Sequence, residues 1–179
     1  MKKRIFIGIR ISEKLQAEVL EWQKSRSDLK VRWLKPKNLH ITLVPPWLEK
    51  NVDRIQEKIS LLKGKFKPFI IKFDKISLGS SPKHPRAIIH RASPRLIWLE
   101  GESKEFNNLK IKLEKYFGNK DIRPPKSHVT IARFKVSDFL KFPKKELSEK
   151  IDWKEEAENI TLFESLGNSE YKALYGITL

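Results

Sequence analysis

Two histidines of the chain each stand two positions before a threonine. His40 and Thr42 form one His-x-Thr triplet, and His128 and Thr130 form a second, 88 positions further along. On a β-strand alternate side chains share a face, so each triplet presents an imidazole and a hydroxyl about 7 Å apart. Hydroxyls can donate to phosphate oxygens, and two imidazoles can handle protons on opposite sides of phosphorus. Two triplets facing one another would therefore suit in-line displacement at a phosphodiester.

A metal site is the competing interpretation of paired histidines. Such a site needs three or four ligands, usually with a carboxylate or thiolate among them. The chain has no cysteine, and neither triplet has a carboxylate close by in the sequence. It also lacks the Gly-x-x-x-x-Gly-Lys-Ser/Thr pattern of a nucleotide-binding loop. We therefore expect no metal and no other cofactor. The remaining histidines, His84 and His90, lack the motif and are interpreted as structural.

The elements that would carry the triplets occur twice. Apolar periodicity predicts strand, helix, strand with His-x-Thr, helix, strand, strand in each half of the chain. The interval from the opening strand to the histidine is 36 positions in the first half and 33 in the second. The sequence therefore predicts one domain of two pseudo-symmetric lobes, about 1–92 and 93–179. This arrangement can bring the two triplets together across a cleft.

Three local predictions accompany this organisation. The strand that begins near His40 is expected to stop at Pro45-Pro46, since proline interrupts strand pairing. Weak helical spacing predicts a short helix at about 144–151. A short strand is predicted at 86–91.

The chain is strongly basic. Its 179 residues include 38 Lys+Arg against 22 Asp+Glu, a net charge of +16. An excess of this size favours polyanionic partners through phosphate neutralisation. The apolar start of the chain is too short for a signal peptide and is interrupted by Arg10, and no segment is long enough to span a membrane. We expect a cytoplasmic protein without membrane association, and the self-contained duplication predicts a monomer.

Paired His-x-Thr motifs in duplicated halves resemble the 2H phosphoesterase superfamily. Within it the chain is most similar to the RNA 2′,3′-cyclic phosphodiesterases, also called 2′-5′ RNA ligases. The resemblance covers nearly the whole chain. It rests on Arg4–Ile9, Leu39–Leu43, Leu96–Trp98, Ser127–Arg133, Leu162–Ser165 and the terminal strand with Tyr171.

The resemblance implies a bilobal α+β fold with antiparallel sheets lining a central cleft and helices packed outside. It implies hydrolysis of a 2′,3′-cyclic phosphate at an RNA end to a 2′-phosphate, without metal. By the same analogy His40 is the proton donor and His128 the proton acceptor. Residue chemistry alone leaves these roles interchangeable. Members of the family can also join RNA ends through a 2′-5′ linkage without ATP.

The resemblance further assigns phosphate binding to Thr42 and Thr130, and a phosphate or ribose contact to Arg133. Strict strand alternation puts Arg133 on the face opposite His128. It can contribute only if the strand bends or ends near Ala132.

One segment departs from the family pattern. The family usually has an aromatic residue and a glycine after the first motif, whereas here Val44 precedes Pro45-Pro46-Trp47. Trp47 can replace the aromatic residue as a stacking surface for a base, or it can fill the core beneath the prolines. Four basic residues flank the motifs and could guide an RNA backbone: Lys35, Lys37, Arg123 and Lys126.

Two other functions stay open. A basic RNA-binding protein could use the same cleft without turnover, although a pure binder has no need of two matched proton-transfer groups. A phosphodiesterase for small cyclic nucleotide phosphates would keep the chemistry and change the substrate. The basic excess favours RNA over small nucleotides.

Overall fold

The computed structural model describes residues 1–80, 94–119, 125–143 and 146–179. These residues form nine strands, four α-helices and one 3-10 helix. In chain order they are β1 (Lys3–Arg10), α1 (Glu13–Ser25), β2 (Arg32–Trp33), the 3-10 helix (Pro36–Asn38), β3 (His40–Glu49), α2 (Val52–Ser60), β4 (Phe69–Ser80), β5 (Pro94–Glu102), α3 (Lys104–Phe117), β6 (Ser127–Arg133), α4 (Val136–Phe139), β7 (Ser148–Ala157), β8 (Asn159–Gly167) and β9 (Glu170–Thr178).

The two long helices begin and end at residues whose chemistry favours those positions. The Ser12 hydroxyl accepts from the Leu15 amide at the start of α1, and Ser103 caps α3 in the same way. Such caps satisfy amides that have no partner inside the helix. α3 ends at Gly118, whose φ of +69° is the left-handed conformation that glycine tolerates.

The strands form one sheet in the order β7-β4-β5-β6-β3-β1-β8-β9, with β2 also paired to β6. Every pairing among the described strands is antiparallel. The α+β class and the antiparallel arrangement are therefore confirmed. Instead of two separate sheets, the halves join edge to edge where β3 meets β6, the two strands that carry the His-x-Thr triplets.

Each half of the sheet contains strands from both halves of the sequence. The half around β3 contains β1, β8 and β9, whereas the half around β6 contains β4, β5 and β7. β4 precedes residue 92 yet lies among strands that follow it, and the last two strands return to pair with the first. The halves of the sheet therefore do not coincide with the predicted sequence halves 1–92 and 93–179.

Pro45-Pro46 lie inside β3, so the prediction that the strand stops there is wrong. Ile5 pairs with Trp47 and Ile7 with Val44, which leaves two residues of β3 opposite one residue of β1. This is a bulge, and a bulge tolerates proline because its residues are outside the regular ladder.

The predicted helix at about 144–151 is also wrong. Residues from 148 onward form β7, which pairs along β4. Sheet pairing outweighed the weak helical spacing. Several sequence predictions lie outside the described residues: residues 144 and 145, the strand at 86–91, His84, His90 and Arg123.

One face of the sheet is covered by helices. Alternate residues of the central strands are fully buried there, and α1, α2 and α3 contribute apolar side chains to the same core. The buried Lys110 of α3 donates to the Leu43 carbonyl at 3.1 Å and lies 2.6 Å from Glu114. The His-x-Thr side chains belong to the opposite face.

Candidate active site

Ile41 and Val129, the middle residues of the two triplets, are direct cross-strand partners and are fully buried. This single antiparallel bridge orients His40 toward the Thr130 end of β6 and Thr42 toward its His128 end. Because alternate side chains share a face, all four project from the side away from the helices. The bridge thus brings the two triplets together at their middle residues.

Both imidazoles are oriented by a backbone carbonyl two residues earlier. His40 Nδ1 lies 2.8 Å from the Asn38 oxygen, and His128 Nδ1 lies 3.2 Å from the Lys126 oxygen. Since a carbonyl can only accept, these bonds assign a proton to each Nδ1. Nε2 is then the nitrogen of each ring that can take up or release a proton.

His40 is surrounded by aromatic rings from both ends of the chain. Its centroid lies 4.7 Å from Phe6, 5.6 Å from Phe163 and 4.8 Å from Tyr171. Phe6 and Phe163 stack on one another at 5.0 Å. These rings replace water around the imidazole, so its charged form is poorly solvated.

The pKa of His40 is lowered to about 4. Burial is the main cause, the bond to the Asn38 carbonyl opposes it, and the positive charges of His128 and Arg133 lower the pKa further. His40 is therefore neutral at pH 7. The effect of His128 and Arg133 also means that both lie within electrostatic reach of His40.

His128 has a different environment, which includes a carboxylate. Glu100 is its cross-strand partner on β5, and the Trp98 ring packs 4.7 Å from the imidazole. Glu100 accepts hydrogen bonds from Lys126 and Ser77. Burial raises the pKa of Glu100, but these bonds outweigh burial and the net pKa is lowered. A carboxylate that is ionised at neutral pH therefore faces His128, where the sequence indicated none.

A β-bulge follows each triplet at the same position. On β6, Thr130 pairs with Trp98 and Ala132 with Ile97, which leaves Ile131 as an extra residue. On β3, Leu43 is the extra residue in the equivalent pairing with β1. Each extra residue comes three positions after the histidine, so the duplication extends to this irregularity. A bulge shifts the alternation of side chains by one residue.

The bulge changes the orientation expected for Arg133. Strict alternation would place Arg133 on the face opposite His128. The extra residue Ile131 shifts the alternation, so Arg133 lies on the same face as His128 and Thr130. Its influence on the pKa of His40 agrees with this orientation. Its Nε atom is buried and has no hydrogen-bond partner in the part of the chain that the structure describes. Arg133 thus has an unused donor next to the histidines.

Trp47 is not part of this group. It pairs with Ile5 on the helix-covered face, lies 6.4 Å from the Phe117 ring and donates to Glu49 at 3.3 Å. These contacts favour the core-filling interpretation over base stacking.

The flanking lysines are engaged in ion pairs. Lys35 lies 2.8 Å from a Glu170 oxygen and Lys37 lies 3.9 Å from the other. Lys126 pairs with Glu100. The structure therefore directs these charges to carboxylates of the protein itself.

Within the described ranges, no three His, Cys, Asp or Glu side chains gather closely enough to hold a metal ion. No helix among these residues is long and apolar enough to cross a membrane.

Sequence reasoning missed several neighbours of the histidines: Phe6, Trp98, Glu100, Phe163 and Tyr171. Alternation in β1 sets Phe6 apart from the buried isoleucines around it, and this was a usable signal. The others reach the site through strand pairings that are distant in sequence, for which the sequence carries no local signal.

The chain matches the family model described as LigT like phosphoesterase over residues 9–89. It is 28% identical over 141 residues to a protein of Archaeoglobus fulgidus named RNA 2′,3′-cyclic phosphodiesterase, covering 74% of this chain and 73% of the relative.

The match to solved structures of this fold covers nearly the whole chain. TT0787 of Thermus thermophilus superposes with a TM-score of 0.71 at 19% identity, covering 98% of this chain and 97% of that one. Apo LigT of E. coli gives a TM-score of 0.70 at 18% identity, covering 99% and 98%. Over residues 9–89 the chain is similar to the LigT like phosphoesterases, and along its whole length it has the fold of these solved structures.

Proposed function

We propose that this protein hydrolyses the 2′,3′-cyclic phosphate at an RNA end to a 2′-phosphate, without a metal ion, using His40 and His128 as its acid–base pair. The observation that carries the proposal is the bridge between Ile41 and Val129, because it brings the two His-x-Thr triplets together on adjacent strands. The name of the Archaeoglobus relative supports the substrate class.

In this mechanism His128 takes a proton from a water molecule as the water oxygen attacks phosphorus. The bond from phosphorus to the ribose 3′ oxygen breaks, and His40 gives that oxygen its proton. One P–O bond forms and one breaks, and the product carries a 2′-phosphate and a 3′-hydroxyl. Thr42 and Thr130 donate to the non-bridging oxygens, and Arg133 balances their charge.

The unequal surroundings of the two histidines support this division of roles. Glu100 stabilises the imidazolium that His128 becomes when it accepts a proton. The aromatic rings make protonated His40 a strong acid, which suits donation to a leaving alkoxide. The phosphate itself supplies the negative charge that allows His40 to be protonated in the complex.

An RNA 5′-hydroxyl in place of the water would join two ends through a 2′-5′ linkage. The cyclic phosphate supplies the driving force in that case, so no ATP is needed. We include this activity in the proposal as a second outcome of the same attack.

The test supplies EDTA-treated protein with an oligonucleotide that ends in a 2′,3′-cyclic phosphate, and identifies the product by mass spectrometry. Wild type should release the 2′-phosphate, while His40→Ala and His128→Ala should each lose about 10²- to 10⁴-fold in rate. Equal rates for wild type and both variants would remove the catalytic proposal. Salt-sensitive binding of the oligonucleotide without any turnover would identify a binding protein instead.

A further inference from the structure

A cluster of basic residues lies at the end of β6, next to the histidines. The cluster surrounds a cavity of about 450 Å³ between β2 and the segment that follows β6. Four cations line it, Lys30, Arg32, Arg133 and Lys135, with Asp138 as the one carboxylate among its lining residues. We call this cavity the basic groove.

Arg32 and Arg133 are direct cross-strand partners within the groove. Like charges in opposed positions of a sheet destabilise it unless something negative lies between them. Arg32 donates to the Ser169 hydroxyl at 3.0 Å, which leaves its charge unbalanced. The buried Nε of Arg133 has no acceptor among the described residues. Both observations indicate an arrangement that a bound anion completes.

The other two cations of the groove are not paired with carboxylates of the described residues either. Lys30 and Lys135 form no ion pair with any residue that the structure describes. This contrasts with Lys35 and Lys126, which are paired to carboxylates. The groove is thus a concentration of unpaired positive charge beside the site.

Arg133 belongs to both the groove and the histidine group. A strand whose terminal phosphate lies against the histidines can continue past Arg133 into the groove, whereas a mononucleotide ends at its first phosphate. Phe134, the aromatic residue of the groove, is only 8% exposed, so the groove has no ring on which a base could stack. Its chemistry suits phosphates, which carry no sequence information.

We propose that the basic groove binds backbone phosphates of single-stranded RNA adjacent to the cyclic end, so that the substrate is an RNA strand rather than a cyclic mononucleotide. This inference rests on the proposed function and adds a second contact region to it. Recognition is independent of base identity and sensitive to salt.

The test compares a hexanucleotide that ends in a 2′,3′-cyclic phosphate with the cyclic mononucleotide of its last base. In Arg32→Gln/Lys135→Gln, the hexanucleotide KM should rise about tenfold, the effect of losing hydrogen bonds to charged groups. The slope of log kcat/KM against log salt should fall in magnitude by about 1.4, for two single-strand phosphates. Turnover of the mononucleotide should change less than twofold.

The matched control is Lys14→Gln/Lys112→Gln, which removes the same charge from exposed lysines of α1 and α3. It should leave both substrates unaffected. A groove variant that treats both substrates as wild type does, or that loses activity equally on both, overturns the inference.

Failure of the proposed function is distinguishable from failure of the groove. If wild type turns over neither substrate, binding of a labelled hexanucleotide with a 2′-phosphate end is measured by fluorescence anisotropy. Weaker binding by the groove variant than by the control variant supports the groove. Equal binding by the two overturns it.

Discussion

The rings of His40 and Tyr171 meet edge to face with their centroids 4.8 Å apart. Tyr171 comes from the last strand, and its backbone amide donates to the side chain of Asn38, the residue whose carbonyl orients His40. The C-terminal strand therefore completes the environment of a histidine in the first half of the chain. His128, its counterpart in the duplication, faces Glu100 instead. Two positions that are equivalent in sequence are thus different in chemistry.

Acidification should destabilise the protein through His40. Its pKa is about 4 in the folded chain and about 6.5 when unfolded, so between these values the unfolded chain binds more protons. The free energy of unfolding should fall as pH drops from 7 to 4, with up to about 3 kcal/mol from this residue. Urea denaturation across this range measures it. His40→Gln should show a shallower decline, and a decline parallel to that of wild type contradicts the prediction.

Replacement of Glu100 should slow the reaction more than it weakens binding. In Glu100→Gln the imidazolium that forms on His128 loses its opposing negative charge, so kcat should fall about tenfold with KM nearly unchanged. Steady-state kinetics on the cyclic-phosphate oligonucleotide separates the two parameters. Glu102→Gln, an exposed change on the same strand, is the control. A loss confined to KM argues against this role.

The threonine hydroxyls should be needed for turnover and dispensable for folding. Thr42→Val and Thr130→Val keep the β-branched shape that suits a strand and remove one donor each. We expect each to lower kcat/KM about tenfold, the effect of a lost hydrogen bond to a charged group. Circular dichroism should show unchanged strand content. Full activity in both variants would exclude the hydroxyls from phosphate binding.

Replacement of Arg133 should reduce activity even when lysine takes its place. Arg133→Lys retains the charge but loses the planar set of donors, and Arg133→Ala loses both. We expect kcat/KM to fall about tenfold in the first and about a hundredfold in the second. Arg54→Ala, an exposed arginine of α2, controls for loss of charge. Equal activity of the lysine variant and wild type would show that charge alone suffices.

The close packing of Gly79 against Trp98 should not tolerate an added methyl group. A Cβ at Gly79 would lie 2.5 Å from the Trp98 ring, which packs on His128. Gly79→Ala should therefore lower the free energy of unfolding by about 1–3 kcal/mol and reduce kcat. Gly176→Ala is the matched control, because its nearest contact is 3.4 Å away. Identical stability and kinetics of the two variants would refute the packing argument.

The sequence by itself determined which residues could act together and which fold class would carry them. His-x-Thr on a strand puts both side chains on one face, because alternation is a property of the local backbone. The repeated order of elements follows from local periodicity in the same way, and it predicted that the two triplets would meet.

Only the tertiary structure decided how they meet. The pairing of Ile41 with Val129, the bulge that turns Arg133 toward the histidines, and the position of Glu100 all depend on contacts between strands far apart in the chain. The errors at Pro45-Pro46 and at 144–151 have the same origin, since a partner strand stabilised what local propensity disfavoured. Strand order and register depend on non-local pairing, which no local pattern specifies.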